Sequence, residues 1–216
     1  MNMSKTFLIG DTHFGLGDYF PEFQRTMHRW HPEHDREFKS ADEMEQLIIR
    51  RWNSVVGEND TVISLGDFAW AGEYPEDYEI WMHSCDIYKI YLTKLNGNIV
   101  MIHGNHDPFN DGLKCQCGNI LYYRGRTFYM VHDPGKRERG YEKIPENWVG
   151  WVIHGHHHWV PDYYDKTKTY YPFINGDKKA INVACDVIDY TPVSIDTILS
   201  FGIDSIKRMN TIVDDR

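Results

Sequence analysis

Apolar and polar residues alternate along the first half of the chain with two different periods. Short β-prone apolar runs at residues 6–9, 61–65 and 99–102 are typical of buried strands. Between them, apolar residues recur at helical spacing after Ser40, which is placed to cap a helix, and again over residues 76–95. This β-α-β-α-β order predicts parallel strands joined by helical crossovers.

The second half of the chain has shorter apolar runs and fewer helical signals. Strands are predicted at residues 121–123, 127–131, 149–153 and 180–184, and one further element over 193–199. We therefore expect an α/β first half and a mostly β second half. The absence of a repeat, a low-complexity tract or a linker predicts a single domain over all 216 residues.

Composition narrows the function classes. The net charge of −9 argues against extensive nucleic-acid binding, although a bound cation would supply positive charge locally. No apolar run approaches the length of a membrane span, and the first residues lack the pattern of a signal peptide. We expect a cytoplasmic protein with no membrane partner. Its four scattered cysteines do not form the framework of a disulfide scaffold.

Polar residues that can bind a metal follow five of the predicted strands. Taken singly, an Asp or a His after a strand is usually a turn former or a hydrogen-bonded, half-buried residue. Five such clusters in one chain predict a shared site, because sites in sheets of this kind form outside the carboxyl ends of the strands. The clusters are Asp11 and His13, Asp67, Asn105 and His106, His132, and His156 and His158.

These clusters resemble the motifs of the calcineurin-like metallophosphoesterases. The family pattern is D-x-H, G-D, G-N-H-D/E, a separate His and G-H-x-H. It is matched in order at residues 11–13, 66–67, 104–107, 132 and 155–158. The resemblance implies an α+β sandwich, a four-layer α/β/β/α fold with two mixed β-sheets flanked by helices. Many members have a second Asp three residues after the first of the G-D block, where this chain has Trp70.

The resemblance also implies two divalent metal ions that share one carboxylate. A ligand set of imidazoles and carboxylates suits manganese, iron, zinc or nickel better than calcium. Manganese comes first only because the family often uses it. The first implied shell comprises Asp11, His13, Asp67 and His158, and the second comprises Asp67 as the bridge, Asn105, His132 and His156.

The implied reaction is hydrolysis of a phosphodiester or a phosphomonoester, with a small nucleotide-like molecule as the preferred substrate. By resemblance His106 is the general acid, and Asp107 orients its ring. A monoesterase, a cyclic-nucleotide phosphodiesterase, a nuclease and a protein phosphatase remain open within the family. The alternative from another class is a non-catalytic, metal-binding interaction scaffold on the same fold.

Other polar residues near the motifs are expected to support the site or the core. His103 and His154 are interpreted as core residues or as neighbours of the ligands. His157 is left out of the metal set because it alternates away from its neighbours in an extended segment. Asn182 and Asp186 are interpreted as structural or rim residues.

Overall fold

The computed structural model describes residues 4–15, 30–31, 33–34, 36–69, 88–107, 115–116, 118–135, 144–158 and 171–213. Its strands are β1 (Thr6–Ile9), β2 (Trp30–His31), β3 (Arg36–Glu37), β4 (Thr61–Ser64), β5 (Asn98–Ile102), β6 (Cys115–Gln116), β7 (Gly118–Tyr123), β8 (Arg126–Val131), β9 (Trp151–His154), β10 (Ile174–Asn175), β11 (Ala180–Asn182), β12 (Val193–Ser194) and β13 (Arg208–Met209). The helices are α1 (Ala41–Val55) and α2 (Ile195–Ser200), with a 3-10 turn at Ile203–Ser205 and helical residues at 88–92.

The first sheet has the strand order β12-β1-β4-β5-β6. All neighbours are parallel except β12, which pairs antiparallel with β1. The helix α1 lies between β1 and β4 in the chain, as a parallel connection requires. The parallel strands predicted from the first three apolar runs are thereby confirmed.

The second sheet has the order β13-β10-β11-β9-β8-β7 and mixes parallel with antiparallel pairs. The predicted strands of the second half all lie in it except the element over 193–199. That run divides into β12 and α2, because the Ser194 hydroxyl accepts a hydrogen bond from the Thr197 N–H (3.0 Å) and caps a helix there.

The helix α1 begins where the sequence places its cap. The Ser40 hydroxyl accepts a hydrogen bond from the Glu43 N–H at 3.1 Å. Leu47, Ile48 and Trp52 then enter the core at helical spacing, each with no exposed surface. Burial of side chains of this size stabilises the fold by roughly 1.5–3 kcal/mol each.

The two mixed sheets share one hydrophobic core. Leu8 and Ile63 of the first sheet belong to the same buried cluster as Phe128, Met130 and Ile153 of the second. The alternate residues of β8 face the other side of their sheet and form a smaller cluster. Two mixed sheets with helices confirm the predicted α/β class, while the four-layer order stays a prediction.

Some predictions fall partly outside the described residues. Of the helix predicted over 76–95, residues 88–92 are described and helical. In the long segment 14–39, β2 and β3 pair antiparallel. Among the described residues, no helix combines the length and the apolar composition needed to cross a bilayer.

Candidate metal centre

Backbone hydrogen bonds continue beyond the strand ends and bring the polar loops together. After β1 and β4, the His13 N–H donates to the Asp67 carbonyl at 3.0 Å. After β8 and β9, the Gly155 N–H donates to the His132 carbonyl at 3.0 Å. Between the sheets, the Gly10 N–H donates to the Val183 carbonyl at 2.7 Å, so strand ends of both sheets meet at one rim.

The first group of potential ligands comprises Asp11, His13 and His158, whose donor atoms all lie within 4.8 Å of one another. The Nε2 atoms of His13 and His158 are 3.3 Å apart, and His158 Nε2 lies 3.9 Å from Asp11 Oδ1. The Asp11 carboxylate also accepts the backbone N–H of His156, at 3.0 and 2.9 Å. This contact joins the two sheets at the site.

The second group comprises Asp67, His132 and His156, again within 4.8 Å. His132 Nε2 lies 3.2 Å from Asp67 Oδ2, 3.2 Å from His156 Nδ1 and 3.1 Å from Asn105 Oδ1. The other ring nitrogen of His132 is 2.7 Å from the Leu65 carbonyl, which leaves Nε2 to face the group.

Asp67 Oδ2 stands between the two groups. It lies 3.9 Å from His13 Nε2 on one side and 3.2 Å from His132 Nε2 on the other. The second oxygen, Oδ1, accepts the backbone N–H of His106 at 2.8 Å, so Oδ2 is the atom left to face both groups. Imidazole nitrogens and carboxylate oxygens in two compact groups fit divalent transition metals.

Four of the candidate ligands have a left-handed backbone. The φ angles are 58° at Asp11, 46° at His13, 50° at Asp67 and 67° at His156. Non-glycine residues rarely adopt this conformation, and such strain clusters at functional sites. The turns after the strands thus aim these side chains into the rim at a cost in local backbone energy.

The glycines of the motifs make room for the ligands. A Cβ at Gly104 would overlap the Asp67 carboxylate, and a Cβ at Gly66 would lie 2.6 Å from His132 Nδ1. Gly66 also has a φ of 92°, which favours glycine. In the sequence, each of these residues is recognisable only as a Gly that follows a buried strand. The structure shows the close contact that requires a glycine at that position.

The surroundings of two candidate ligands shift their pKa values toward the protonation states that bind a cation. Burial raises the pKa of Asp67, but the facing rings of His132 and His106 outweigh it and hold the pKa well below its usual range. Burial lowers the pKa of His13 well below its usual value. An anionic carboxylate and a neutral imidazole are the forms that bind metals.

Two other histidines hold protons in the metal-free protein. Burial lowers the pKa of His132, yet the Asp67 carboxylate outweighs burial and raises it to about 10. In the same way the Asp186 carboxylate raises the pKa of His158 to about 9. A divalent cation would replace these protons as the charge that balances the carboxylates.

Asp107 accepts hydrogen bonds from the loops that carry the candidate ligands. Its Oδ2 accepts the N–H groups of Asp67 and Gly104, both at 2.8 Å. Its Oδ1 accepts the Phe68 N–H at 2.9 Å and the Tyr88 hydroxyl. Both oxygens are occupied by these donors, so Asp107 clamps two ligand loops together, while its orientation of the His106 ring stays a prediction.

His106 lies beside the candidate ligands without belonging to either group. Its Nε2 is 4.0 Å from Asp67 Oδ2, and its side chain is 12% exposed. Its ring meets the His13 ring edge to face, with the centroids 5.5 Å apart. It is therefore close to the shared oxygen, with a small part of its side chain accessible.

A buried glutamate supports the first loop and escaped the sequence interpretation. Glu45 accepts the Gly15 N–H at 2.8 Å and the Tyr91 hydroxyl. Burial raises the pKa of Glu45. The sequence did contain a signal for this residue. Glu45 is a charged residue in the apolar stripe of α1 that also contains Met44 and Ile48, and a charged residue at such a position is unusual.

The neighbouring histidines stay outside the ligand groups. The His157 ring stacks on Tyr171, with the centroids 3.4 Å apart and the planes at 6°. His154 is buried, burial lowers its pKa to about 4, and its Nδ1 lies 2.8 Å from the Gly155 carbonyl. Both arrangements agree with leaving these two rings out of the metal set.

The chain belongs to the calcineurin-like phosphoesterase family, whose sequence model matches residues 4–215. It is 34% identical over 214 residues to the uncharacterized protein MJ1445 of Methanocaldococcus jannaschii, and the match covers 99% of each chain. The family is generally one of hydrolytic phosphoesterases. The two ligand groups support metal-dependent chemistry in this member.

Solved structures support the fold. The protein of unknown function AQ665 from Aquifex aeolicus matches with a TM-score of 0.53 at 22% identity, over 92% of this chain and 100% of that one. Vps29 from Entamoeba histolytica matches with a TM-score of 0.35 at 16% identity, over 82% of this chain and 72% of that one. The second similarity is too low to carry an argument.

Proposed function

We propose that this chain is a phosphoesterase that uses two divalent metal ions to hydrolyse a phosphodiester or phosphomonoester of a small nucleotide-like substrate. The observation that carries the proposal is the position of Asp67 Oδ2, which faces His13 Nε2 on one side and His132 Nε2 on the other. A carboxylate shared by two cations screens their repulsion, which is the arrangement of two-metal hydrolytic sites.

Each metal would be held by one of the two groups. Bound divalent ions supply Lewis acidity and lower the pKa of water to about 7 in the best-known cases. The mixed imidazole and carboxylate donors make Mn²⁺ our first candidate, with iron, zinc and nickel next. The first metal would be held by Asp11, His13, Asp67 and His158, and the second by Asp67, Asn105, His132 and His156.

The chain's own proton donor is His106. Attack of water forms a new P–O bond and breaks the bond to the leaving oxygen, which needs a proton as it departs. The His106 side chain is 12% exposed beside the two ligand groups, and its Nε2 lies 4.0 Å from Asp67 Oδ2. We assign the protonation of the leaving group to this atom.

The experiment uses leaving groups of different basicity. His106→Ala is compared with the unchanged protein on a p-nitrophenyl phosphodiester and on an alkyl phosphodiester, with Mn²⁺ added and metal content measured. We expect a loss of 10²–10⁴-fold for the alkyl ester and a much smaller loss for the p-nitrophenyl ester, since the better leaving group needs no proton. Equal losses on both esters, with both metals bound, would refute the acid role.

Substrate class is tested separately with a panel of phosphomonoesters, nucleotides, cyclic nucleotides and dinucleotides. The net charge of −9 favours small substrates over long nucleic acids, whose phosphates the surface would repel. Turnover of a member of the panel supports the proposal. Two bound metals without turnover of any member would favour the interaction scaffold.

A further inference from the structure

A buried carboxylate stands behind His158 and belongs to neither ligand group. Asp186 follows β11, and its side chain is fully buried. Its Oδ1 lies 3.2 Å from His158 Nδ1, within hydrogen-bond distance. The opposite ring nitrogen, Nε2, faces His13 Nε2 at 3.3 Å. The imidazole thus spans from Asp186 to the first ligand group.

The contact between Asp186 and His158 selects one neutral tautomer of the His158 ring. A carboxylate can only accept a hydrogen bond, so the ring proton of a neutral His158 resides on Nδ1. The lone pair is then on Nε2, which is the atom that faces Asp11 and His13. Without an acceptor behind the ring, the proton could equally reside on Nε2 and block the ligand atom.

The neighbouring histidine of the same motif presents the opposite nitrogen. His156 faces His132 through Nδ1, at 3.2 Å, and its Nε2 lies 3.6 Å from Asp133 Oδ2. A carboxylate is therefore found on the outer side of both rings. The closer contact, and the fully buried one, is that of Asp186 with His158.

We propose that Asp186 is a positioning residue that fixes the tautomer and the orientation of His158, and so sets the metal affinity of the Asp11–His13–His158 group. The inference rests on the metal binding in the proposed function and deepens it. Carboxylate partners of ligand histidines typically contribute 10–100-fold to metal affinity. Asp186 acts through His158 and does not touch the substrate.

The test is calorimetric titration of the metal-free protein with Mn²⁺. Asp186→Ala removes the acceptor, and Asp186→Asn keeps an amide oxygen that can still accept from Nδ1. We expect the affinity of one of two sites to fall 10–100-fold in the alanine variant and less in the asparagine variant. The matched control is Asp189→Asn, three residues on, whose carboxylate pairs with Arg51 (3.1 Å). It should titrate like the unchanged protein.

A spectroscopic readout tests the tautomer independently of folding in the variants. In the unchanged Zn²⁺-loaded protein, long-range ¹H–¹⁵N spectra of the histidines should assign the proton of His158 to Nδ1 and the metal to Nε2. A proton on Nε2, or equal Mn²⁺ affinities in the unchanged protein and both Asp186 variants, would overturn the inference. If the unchanged protein bound no metal at all, the proposed function itself would fail.

Discussion

Asp107→Asn is expected to destabilise the metal-free protein by about 3 kcal/mol. Four donors meet the carboxylate: the N–H groups of Asp67, Gly104 and Phe68, and the Tyr88 hydroxyl. An amide offers one oxygen, so two donors would face an NH₂ group and lose their acceptor. Two hydrogen bonds to a charged group correspond to about 3–6 kcal/mol. Burial raises the pKa of this carboxyl to about 6 and offsets part of the benefit, which favours the lower value.

The assay is urea unfolding of the metal-free protein at pH 7.5, followed by circular dichroism. The free energy of unfolding of Tyr88→Phe is measured for comparison. This variant removes one of the four donors and leaves the backbone N–H groups bonded to Asp107. We expect it to cost about 1.5 kcal/mol, half the value expected for Asp107→Asn. A cost below about 1 kcal/mol for Asp107→Asn would refute the clamp. If Asp107 oriented His106 instead, its variant would keep its stability and lose activity with poor leaving groups.

The remaining predictions concern the metal ligands. Gly104→Ala should abolish tight Mn²⁺ binding in calorimetry, because its Cβ would overlap the Asp67 carboxylate. Gly125→Ala, where nothing lies within 4 Å, should strain its turn and leave Mn²⁺ affinity unchanged. Metal uptake at pH 7 should release protons, measurable by titration in buffers of different ionisation enthalpy, because facing carboxylates outweigh burial and raise the pKa values of His158 and His132 to about 9 and about 10. These raised pKa values also stabilise the metal-free fold. That contribution is complete below about pH 6.5 and is lost as pH rises through 9 to 10, so the opposite trend in unfolding free energy would refute the assignment.

The candidate ligands were readable from the sequence because their signal is local. A strand appears as a short apolar run, and His132 follows such a run directly, while Asp11 and Asp67 follow after one Gly. The carboxyl ends of parallel strands share one edge of a sheet, so residue type and order indicated which side chains gather at the edge of each sheet, and the packing of the two sheets brings those edges together. The start of α1 was equally local, since Ser40 caps it through a residue only three positions away.

The contacts that support the site could not be predicted from the sequence, because they join residues that are far apart in the chain. Asp107 reaches the Phe68 N–H, and Asp186 meets His158 from the end of another strand. Glu45 can be recognised in the sequence as a charged residue in an apolar stripe. No residue near it in the sequence indicates that Gly15 is its hydrogen-bond partner. These pairings depend on how the sheets pack, and the same carboxylates at a slightly different depth would face water.

The sequence by itself determined the longer strands, the parallel direction of the first three and which residue types stand at the rim. Only the tertiary structure decided what each buried carboxylate does there and which nitrogen each imidazole presents. His156 and His158 are two residues apart and identical in chemistry, yet one faces its group through Nδ1 and the other through Nε2. The reason is physical: a buried polar group must find a partner, and packing alone determines which partners are within reach.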